Sequence, residues 1–390
     1  MEIKQHERNR EEESYPWHGF LARRSWEAPM KTQHCEEEAR PGYQTVKAHE
    51  YEDSEEVLHE KVLLLANLIK QSSNCLVYSG AGISTASGIS DYATKSGTTF
   101  SKKKSSGFSA QPTLAHKALV AMQKEGLVKY WVQQNHDGLP QKAGLPQHCL
   151  NEIHGAWYDP TNPVVPMKGS LRDDLFNDLL AWEQRADLTL SVGTSMCGMN
   201  SDRVFTTVSE KSIAERNKKN LAGNTEDDKT EWLGGVIIGI QQTQYDALAC
   251  LHIFSRIDRV MDLLMEVLNI NSSIQFPACY TPDVPSDCVL CPGRFLVSYD
   301  KKGKFSHSEK TVLDLRVGSH VRMVSGPYQG DTGVVNRVNE EGHYVLEFLH
   351  TLDYRNCQQV APYRMVHVMG CWFVEAAVKG TLAAIPLVNC

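Results

Sequence analysis

Apolar residues recur three and four positions apart through "EEVLHEKVLLLANLIKQS", which begins at Glu55 with acids in its first turn and carries Lys70 near its end; that spacing predicts a helix. The short apolar run in "NCLVYSG" follows and predicts a buried strand that ends in a glycine turn. "PTLAHKALVAMQKEG" returns to the helical period, with proline at its start and Gly126 after its end. Three more strands are predicted at "LVKYWVQQ", "ADLTLSVG" and "GGVIIGIQ", and "IDRVMDLLMEVLN" closes the series as a helix. Strands alternating with helices predict an α/β fold, a doubly wound parallel sheet of Rossmann type, over residues 55–275.

The pattern changes on both sides of this stretch. Residues 1–54 are charged and lack a period, which predicts a mostly disordered tail, with Trp17, Phe20, Leu21 and Trp26 pinning one short segment. Two polar stretches interrupt the alternation. Tyr92 to Ser109 reads as a mobile loop and "SEKSIAERNKKNLAGNTEDDKTE" as an exposed insertion. "PACYTPDVPSDCVLCPG" marks a linker over residues 276–310. Beyond it, "LRVGSHVRMVSGPYQGDTGVVNRVNEEGHYVLEFL" alternates β-branched and polar residues between glycines, predicting a small all-β SH3-like barrel of KOW type over residues 311–390. The apolar segment "VHVMGCWFVEAAVKGTLAAIPLVNC" is broken by Glu375, Lys379, Gly380 and Pro386 and fits buried strands, not a membrane span.

Charge and cysteine content narrow the function classes. A net charge of -7 and a pI near 6.1 give no overall basic field, so bulk attraction to nucleic acid is not indicated and local patches stay open. In the barrel region Arg316, Arg322 and Arg337 alternate with Asp314, Asp331, Glu340 and Glu341, which favours a protein contact over an RNA footprint. The N-terminal "MEIKQHERNREEE" has no apolar signal core, so an intracellular location, nucleus or cytoplasm, is expected. The eleven cysteines are expected to be thiols. Cys288 and Cys291, with Cys279 nearby, supply only part of a zinc site, and no metal is expected.

The candidate chemistry follows the strand ends. "GAGISTASG" after the first strand suits a phosphate, because glycines admit close backbone approach and exposed N–H groups favour an anion. An equally open reading is a tight turn of the sheet. After the second strand, "QQNHDG" brings Gln134, Asn135 and Asp137; the amide and the acid suit a carboxamide such as nicotinamide. "NEIHG" follows with His154, a candidate general base. "VGTS" ends the third strand with Gly193, Thr194 and Ser195, suited to ribose or phosphate oxygens.

Taken in order, "GAGIS", "SGISDY", "PTLAHKAL", "QNHDGL", "EIHG", "ADLTLSVGTS" and "GIQQTQYD" resemble the sirtuins, NAD-dependent protein deacylases, over residues 55–269. The stretch "QNHDGLPQKAGLPQHCLNEIHGAWY" with "GSLRDDLFND" looks most like the nuclear, chromatin-associated branch. The resemblance implies NAD as cofactor and an acylated protein lysine, histones among the candidates, as substrate, with nicotinamide and O-acyl-ADP-ribose as products. It places the diphosphate at Gly80, Ala81, Gly82 and Ser84, the nicotinamide at Asn135 and Asp137, the base at His154, and the adenosine half at Gly193, Thr194, Ser195 and Gln241, and it counts Gln134 and Asp91, the acid of the family's Asp-Phe-Arg motif, among the cofactor-binding residues. Departures are equally plain. The family's arginine, proline and strand-end asparagine are Ala93, Ser90 and Gly239 here, and Pro140 stands where a histidine often does. Between Gly155 and Ala186 there is no cysteine, so the family's four-cysteine zinc lobe is expected to be absent. A catalytically weak NAD-binding scaffold, or an enzyme of NAD glycohydrolysis or ADP-ribosyl transfer, is the alternative these departures leave.

Overall fold

The computed structural model describes residues 15–23, 25–43, 46–90, 107–166, 169–221, 231–270, 280, 282–356 and 358–390. Asp91, Ala93, Cys279, the first fourteen residues and the loop Tyr92 to Ser109 as far as residue 106, all invoked above, lie outside the described residues.

Met30–Gln33 (β1) and Glu50–Glu52 (β2) form an antiparallel pair. Cys75–Ser79 (β3), Tyr130–Gln133 (β4), Leu150–Glu152 (β5), Leu188–Val192 (β6), Gly234–Ile238 (β7) and Leu251–Ile253 (β8) make a six-stranded sheet in the order β5-β4-β3-β6-β7-β8. The pairs β3–β6, β4–β5, β6–β7 and β7–β8 are all parallel. Strands β3, β6 and β7 are buried at every position, as a sheet covered on both faces requires, and this is why they read as unbroken apolar runs. Helices at Glu55–Gln71, Leu114–Lys124 and Ile257–Leu268 stand where the period places them.

By its internal packing the chain divides into two compact units, one drawn from Met1–Lys103, Ala121–Tyr130 and Leu180–Ser272, the other from Lys104–Val120, Trp131–Leu179 and Ser273–Cys390. In the first unit, Ser54 caps the helix Glu55–Gln71 by accepting from Val57 N–H. The expected disordered tail needs correction over its described part. Trp17 packs 4.9 Å from Tyr51 and 5.7 Å from Phe254, and Trp26 donates its indole N–H to Glu60. Burying those rings outweighs the charge around them. Beneath them lies an ion pair with no exposed side-chain surface: Lys61 Nζ is 2.7 Å from both Asp53 oxygens, and Asp53 also accepts from Phe254 N–H. Burial pulls the Lys61 ammonium down to about 8, while Asp53 beside it favours the charge. The first part of the expected exposed insertion is the C-terminal two-thirds of the helix Arg203–Leu221; Ser209 and Ser212 in it are buried, and the rest of its described helical residues are half-buried or exposed.

In the second unit, Val289–Cys291 (β9), Arg294–Val297 (β10) and Thr311–Asp314 (β11) form an antiparallel sheet, so the expected linker is partly strand. His320–Met323 (β12), Thr332–Val338 (β13), Tyr344–Asp353 (β14), Gln358–Met369 (β15) and Leu387–Asn389 (β16) form a five-stranded antiparallel sheet ordered β15-β14-β13-β12-β16. The expected β region is present as two antiparallel sheets. One element within it differs: where buried strands were expected, Trp372–Lys379 is a helix. Its Trp372, Phe373, Val374, Ala376 and Ala377 are buried, a helical spacing, and Gly380 ends it in the left-handed conformation. Trp372, Phe295, Tyr299, Leu346 and Phe348 share one core with Tyr158, which lies four residues after His154. Among the described residues no helix is long and apolar enough to cross a membrane.

Candidate active site

The first unit holds the glycine turn. Strand β3 ends at Ser79, and residues Ala81–Ser87 follow as a 3-10 helix rather than an α-helix. Gly80 N–H donates to Val192 O at 3.1 Å and Gly82 N–H to Gly193 O at 2.8 Å, so the turn after β3 is laced to the turn after β6. A Cβ on Gly82 would lie 2.8 Å from Gly193 O, and one on Gly193, whose φ is +60°, would lie 2.5 Å from Ile83 N. These glycines are therefore explained by one backbone crossing another. The turn still fits an anion: Ala81 N–H, at the start of the 3-10 helix, takes no backbone partner among the described residues, and Ser84 is buried beside it. Thr194 Oγ1 accepts from Met196 N–H at 3.3 Å, and Ser195 stands between them, half-buried. Gln241 follows β7 by three residues, half-buried. Gly239, where the family has asparagine, has nothing within 4 Å of a built Cβ.

A residue the sequence did not single out fixes this turn. Asp202 is buried; its Oδ2 accepts from Gly198 N–H and Met199 N–H, each at 2.8 Å, and its Oδ1 from the Tyr78 hydroxyl at 2.7 Å. Nothing in "NSDRV" marks it, because the Tyr78 hydroxyl that ties it to β3 is distant in the chain.

The second unit holds Gln134, Asn135, Asp137 and His154. Parallel pairing sets Gln133 beside Glu152, and Asn135 and His154 each follow two residues later. Asn135 and Asp137 are buried; Gln134 and His154 are half-buried. Asp137 Oδ1 accepts from Leu139 N–H at 3.0 Å, which turns the chain into the short helix Leu139–Lys142. The two strand ends are tied together: His136 Nδ1 donates to Gly155 O at 2.8 Å, and Trp157 N–H to His136 O at 2.9 Å. Val165 N–H in turn donates to His154 O at 2.9 Å. Gly155, at φ +94°, could carry no side chain, since a Cβ would lie 2.4 Å from Pro163 O.

The stretch after His154, cysteine-free in sequence, is held by contacts with the helix Trp372–Lys379 and with the turns between the C-terminal strands. Tyr158 lies 5.2 Å from Trp372 and 4.8 Å from His343 between ring centroids, and its carbonyl accepts from Gly370 N–H. Gly326 runs so close to Thr161 that a Cβ would overlap its carbonyl oxygen. Lys142 Nζ reaches Glu341 at 3.0 Å and Phe108 O at 2.6 Å. Arg172 clamps Asp174 with two bonds of 2.7 and 2.8 Å and donates to Thr161 O. Cys288 and Cys291 are half-buried near β9. The described His34, Glu36 and His49 bring possible ligand atoms together; His49 Nδ1 accepts from Cys35 N–H and His34 Nε2 meets Glu36.

No family model matches the chain. Among curated proteins, it is 28% identical over 263 residues to an NAD-dependent protein deacetylase, SRT1, of Oryza sativa subsp. indica, a match covering 56% of this chain and 50% of that protein. It is 42% identical over 113 residues to the NAD-dependent protein deacetylase Sirt6 of Drosophila melanogaster, covering 27% of this chain and 36% of that protein. The chain thus spans half or less of the length of these relatives. A solved Sir2–p53 peptide–NAD+ structure aligns with 52% of this chain and 96% of its own at 19% identity and a TM-score of 0.40.

Proposed function

We propose that this chain, related over part of its length to the sirtuin deacetylases, is an NAD-dependent protein-lysine deacylase of their type. The observation that carries the reading is the parallel register of β4 and β5, which sets Asn135 and His154 each two residues past the paired Gln133 and Glu152. Ligands of doubly wound sheets bind beyond such carboxyl ends.

NAD would be held at its diphosphate by Gly80, Ala81, Gly82 and Ser84 and at its adenosine half by Gly193, Thr194, Ser195 and Gln241. Gln134, Asn135 and Asp137 would hold the nicotinamide side, with Asp91 keeping the part the family resemblance gives it. Bound NAD supplies a ribose carbon whose leaving group is nicotinamide, and an acylated lysine, from histones or other proteins, supplies the acyl oxygen. His154 takes a proton from a ribose hydroxyl, and the bonds that fix Gly155, Val165 and its own carbonyl keep its backbone in place for that step. We read the cysteine-free stretch after Gly155 as working without the family's zinc lobe, its support coming from the core around Tyr158. The C-terminal strands are read as an SH3-like, KOW-type module that meets a protein partner, and the chain as acting in nucleus or cytoplasm.

A second reading, an NAD-binding scaffold with weak or different NAD chemistry, is favoured by Gly239, which offers no side chain to the cofactor, and by Ala93. The deciding experiment is nicotinamide release from NAD by the purified chain, with and without acetyl-lysine peptides, beside His154→Ala. Peptide-dependent release lost in the variant is the expected result. Release without peptide would make the chain a glycohydrolase. No release, with NAD still raising the melting temperature, would leave the scaffold.

A further inference from the structure

We propose that Glu152 is a positioning residue for the turn that carries His154, acting through the hydrogen bonds its carboxyl shares with the buried glutamines around it. The kinetic part of this inference rests on the deacylase reading; the structural part does not. Glu152 ends β5 and is 3% exposed. Gln133 of β4 donates Nε2 to its Oε1 at 3.2 Å, and Gln147 donates Nε2 to its Oε2 at 3.4 Å. Gln141 extends the set by donating to Gln147 Oε1 at 3.2 Å. The backbone carbonyl of the same residue accepts from Gly155 N–H at 3.0 Å and from Asn162 Nδ2 at 2.9 Å. One residue thus joins β4, the turn at Gln147, the turn at Gly155 and the loop at Asn162.

Two buried atoms in this set are left over. Gln133 Oε1 and Gln141 Oε1 accept no hydrogen bond. A carboxylate has no proton to give them, whereas a carboxylic acid has one. Burial pushes the Glu152 carboxyl up to about 8, with Asp159 and Asp137 adding to the rise and the Gln141 and Gln147 amides opposing it. The Arg172 guanidinium that feels this carboxyl is already clamped to Asp174. At neutral pH the side chain is therefore a neutral acid that accepts from the Gln133 and Gln147 amides and carries one proton of its own to donate. Above about pH 8 that donor is lost and a charge appears in a buried place beside Asp137.

Glu152→Gln keeps a donor and an acceptor at every pH; Glu152→Ala keeps neither. Nicotinamide release is expected to fall by up to about 100-fold in Glu152→Ala through kcat, and to be restored in Glu152→Gln. Release by the unaltered chain should decline above about pH 8, and Glu152→Gln should abolish that decline. Equal rates in the two variants, or an unchanged alkaline decline in Glu152→Gln, would overturn the proposal. Should the unaltered chain release no nicotinamide, the deacylase reading fails, and melting temperatures decide the remainder. The folded pKa lies above the ordinary value of 4.5, so the stability this group contributes is lost as pH rises from 4.5 through about 8. Glu152→Gln should gain steadily on the unaltered chain between those values; a constant difference would overturn the proposal.

Discussion

Replacing Trp372 with alanine removes the largest side chain packed against the segment that follows His154. Trp372 is 2% exposed, and its ring lies 5.2 Å from Tyr158, 5.0 Å from His343 and 6.0 Å from Tyr280. Gly138, at φ +66°, passes beneath the same rings; a Cβ there would be 2.7 Å from Tyr158 and 3.4 Å from Trp372. Truncating a buried tryptophan costs about 3–5 kcal/mol, of which each aromatic pair contributes about 0.5–1.5 kcal/mol. The turn after β4 and the turn after β5 both rest on this core, so nicotinamide release should fall along with stability. Phenylalanine makes the informative contrast. The Trp372 indole N–H is buried without a partner, which costs about 1–3 kcal/mol that phenylalanine does not incur. That gain offsets part of the lost volume, and Trp372→Phe should therefore cost less than about 2 kcal/mol. Urea unfolding followed by circular dichroism measures both. With a slope of about 1–3 kcal/mol per molar urea, the alanine variant should lose roughly 1 M or more in midpoint at unchanged slope. An alanine variant within about 1 kcal/mol of the parent, or a phenylalanine variant worse than alanine, would refute the reasoning.

Four further outcomes are expected. Asp53→Ala strands Lys61 without its partner and should cost about 3–5 kcal/mol by thermal or urea unfolding, partly recovered when Lys61→Met is added. Gly193→Ala forces a Cβ to within 2.5 Å of Ile83 N at a φ of +60°, and should destabilise by more than about 1 kcal/mol and abolish the rise in melting temperature on adding NAD. At Gly239 an added Cβ meets nothing within 4 Å, so Gly239→Asn should leave stability within about 0.5 kcal/mol while tightening NAD severalfold by calorimetry. Burial brings His116 and His343 down to about 4, against Asp137 in the first case and helped by Lys142 in the second. Their folded pKa values lie below the ordinary 6.5, so protons bind the unfolded chain first and stability is lost as pH falls from 6.5 through about 4. Each contributes up to about 1.4 kcal/mol per pH unit, measurable as a falling urea midpoint that His343→Gln should flatten.

The parallel core was legible because β3, β6 and β7 are buried on both faces, and such strands have no polar alternation to obscure them. Strands β5 and β8 escaped because three residues carry no period; Leu150 to Glu152 reads in sequence as the approach to His154. The helix Trp372–Lys379 was taken for strand because its buried residues are nearly continuous, and a short helix buried on most of its faces has the same composition as a buried strand. In the tail the pinning tryptophans were legible and the extent of order was not: its charges dominate by number, whereas Trp17 and Trp26 hold its described part by area. Of the candidate site, strand ends were the legible part. Asn135, Asp137 and His154 follow β4 and β5, and Gly193 to Ser195 follow β6, as the pattern placed them. Asp202 and Glu152 were not legible, since their partners Tyr78, Gln133 and Gln147 become neighbours only when the chain folds.

A turn that carries the base proposed here, His154, beyond a short strand needs something to fix it, since three residues of pairing cannot. A metal held by cysteines does this with few residues and strong bonds; an apolar core does it with many residues and weak ones. Here the stretch from Gly155 to Arg172 contains no cysteine and makes instead a chain of close contacts: Gly155 against Pro163, Tyr158 against Trp372 and His343, Thr161 against Gly326, Arg172 against Thr161. Glycine stands at Gly155 and Gly326 because backbone there meets backbone, which no larger residue allows. Such a support differs from a metal in one respect that can be observed: it belongs to the folding core of residues 295–388, so chelators should leave activity intact while mutations in that core, far along the chain from His154, should remove it.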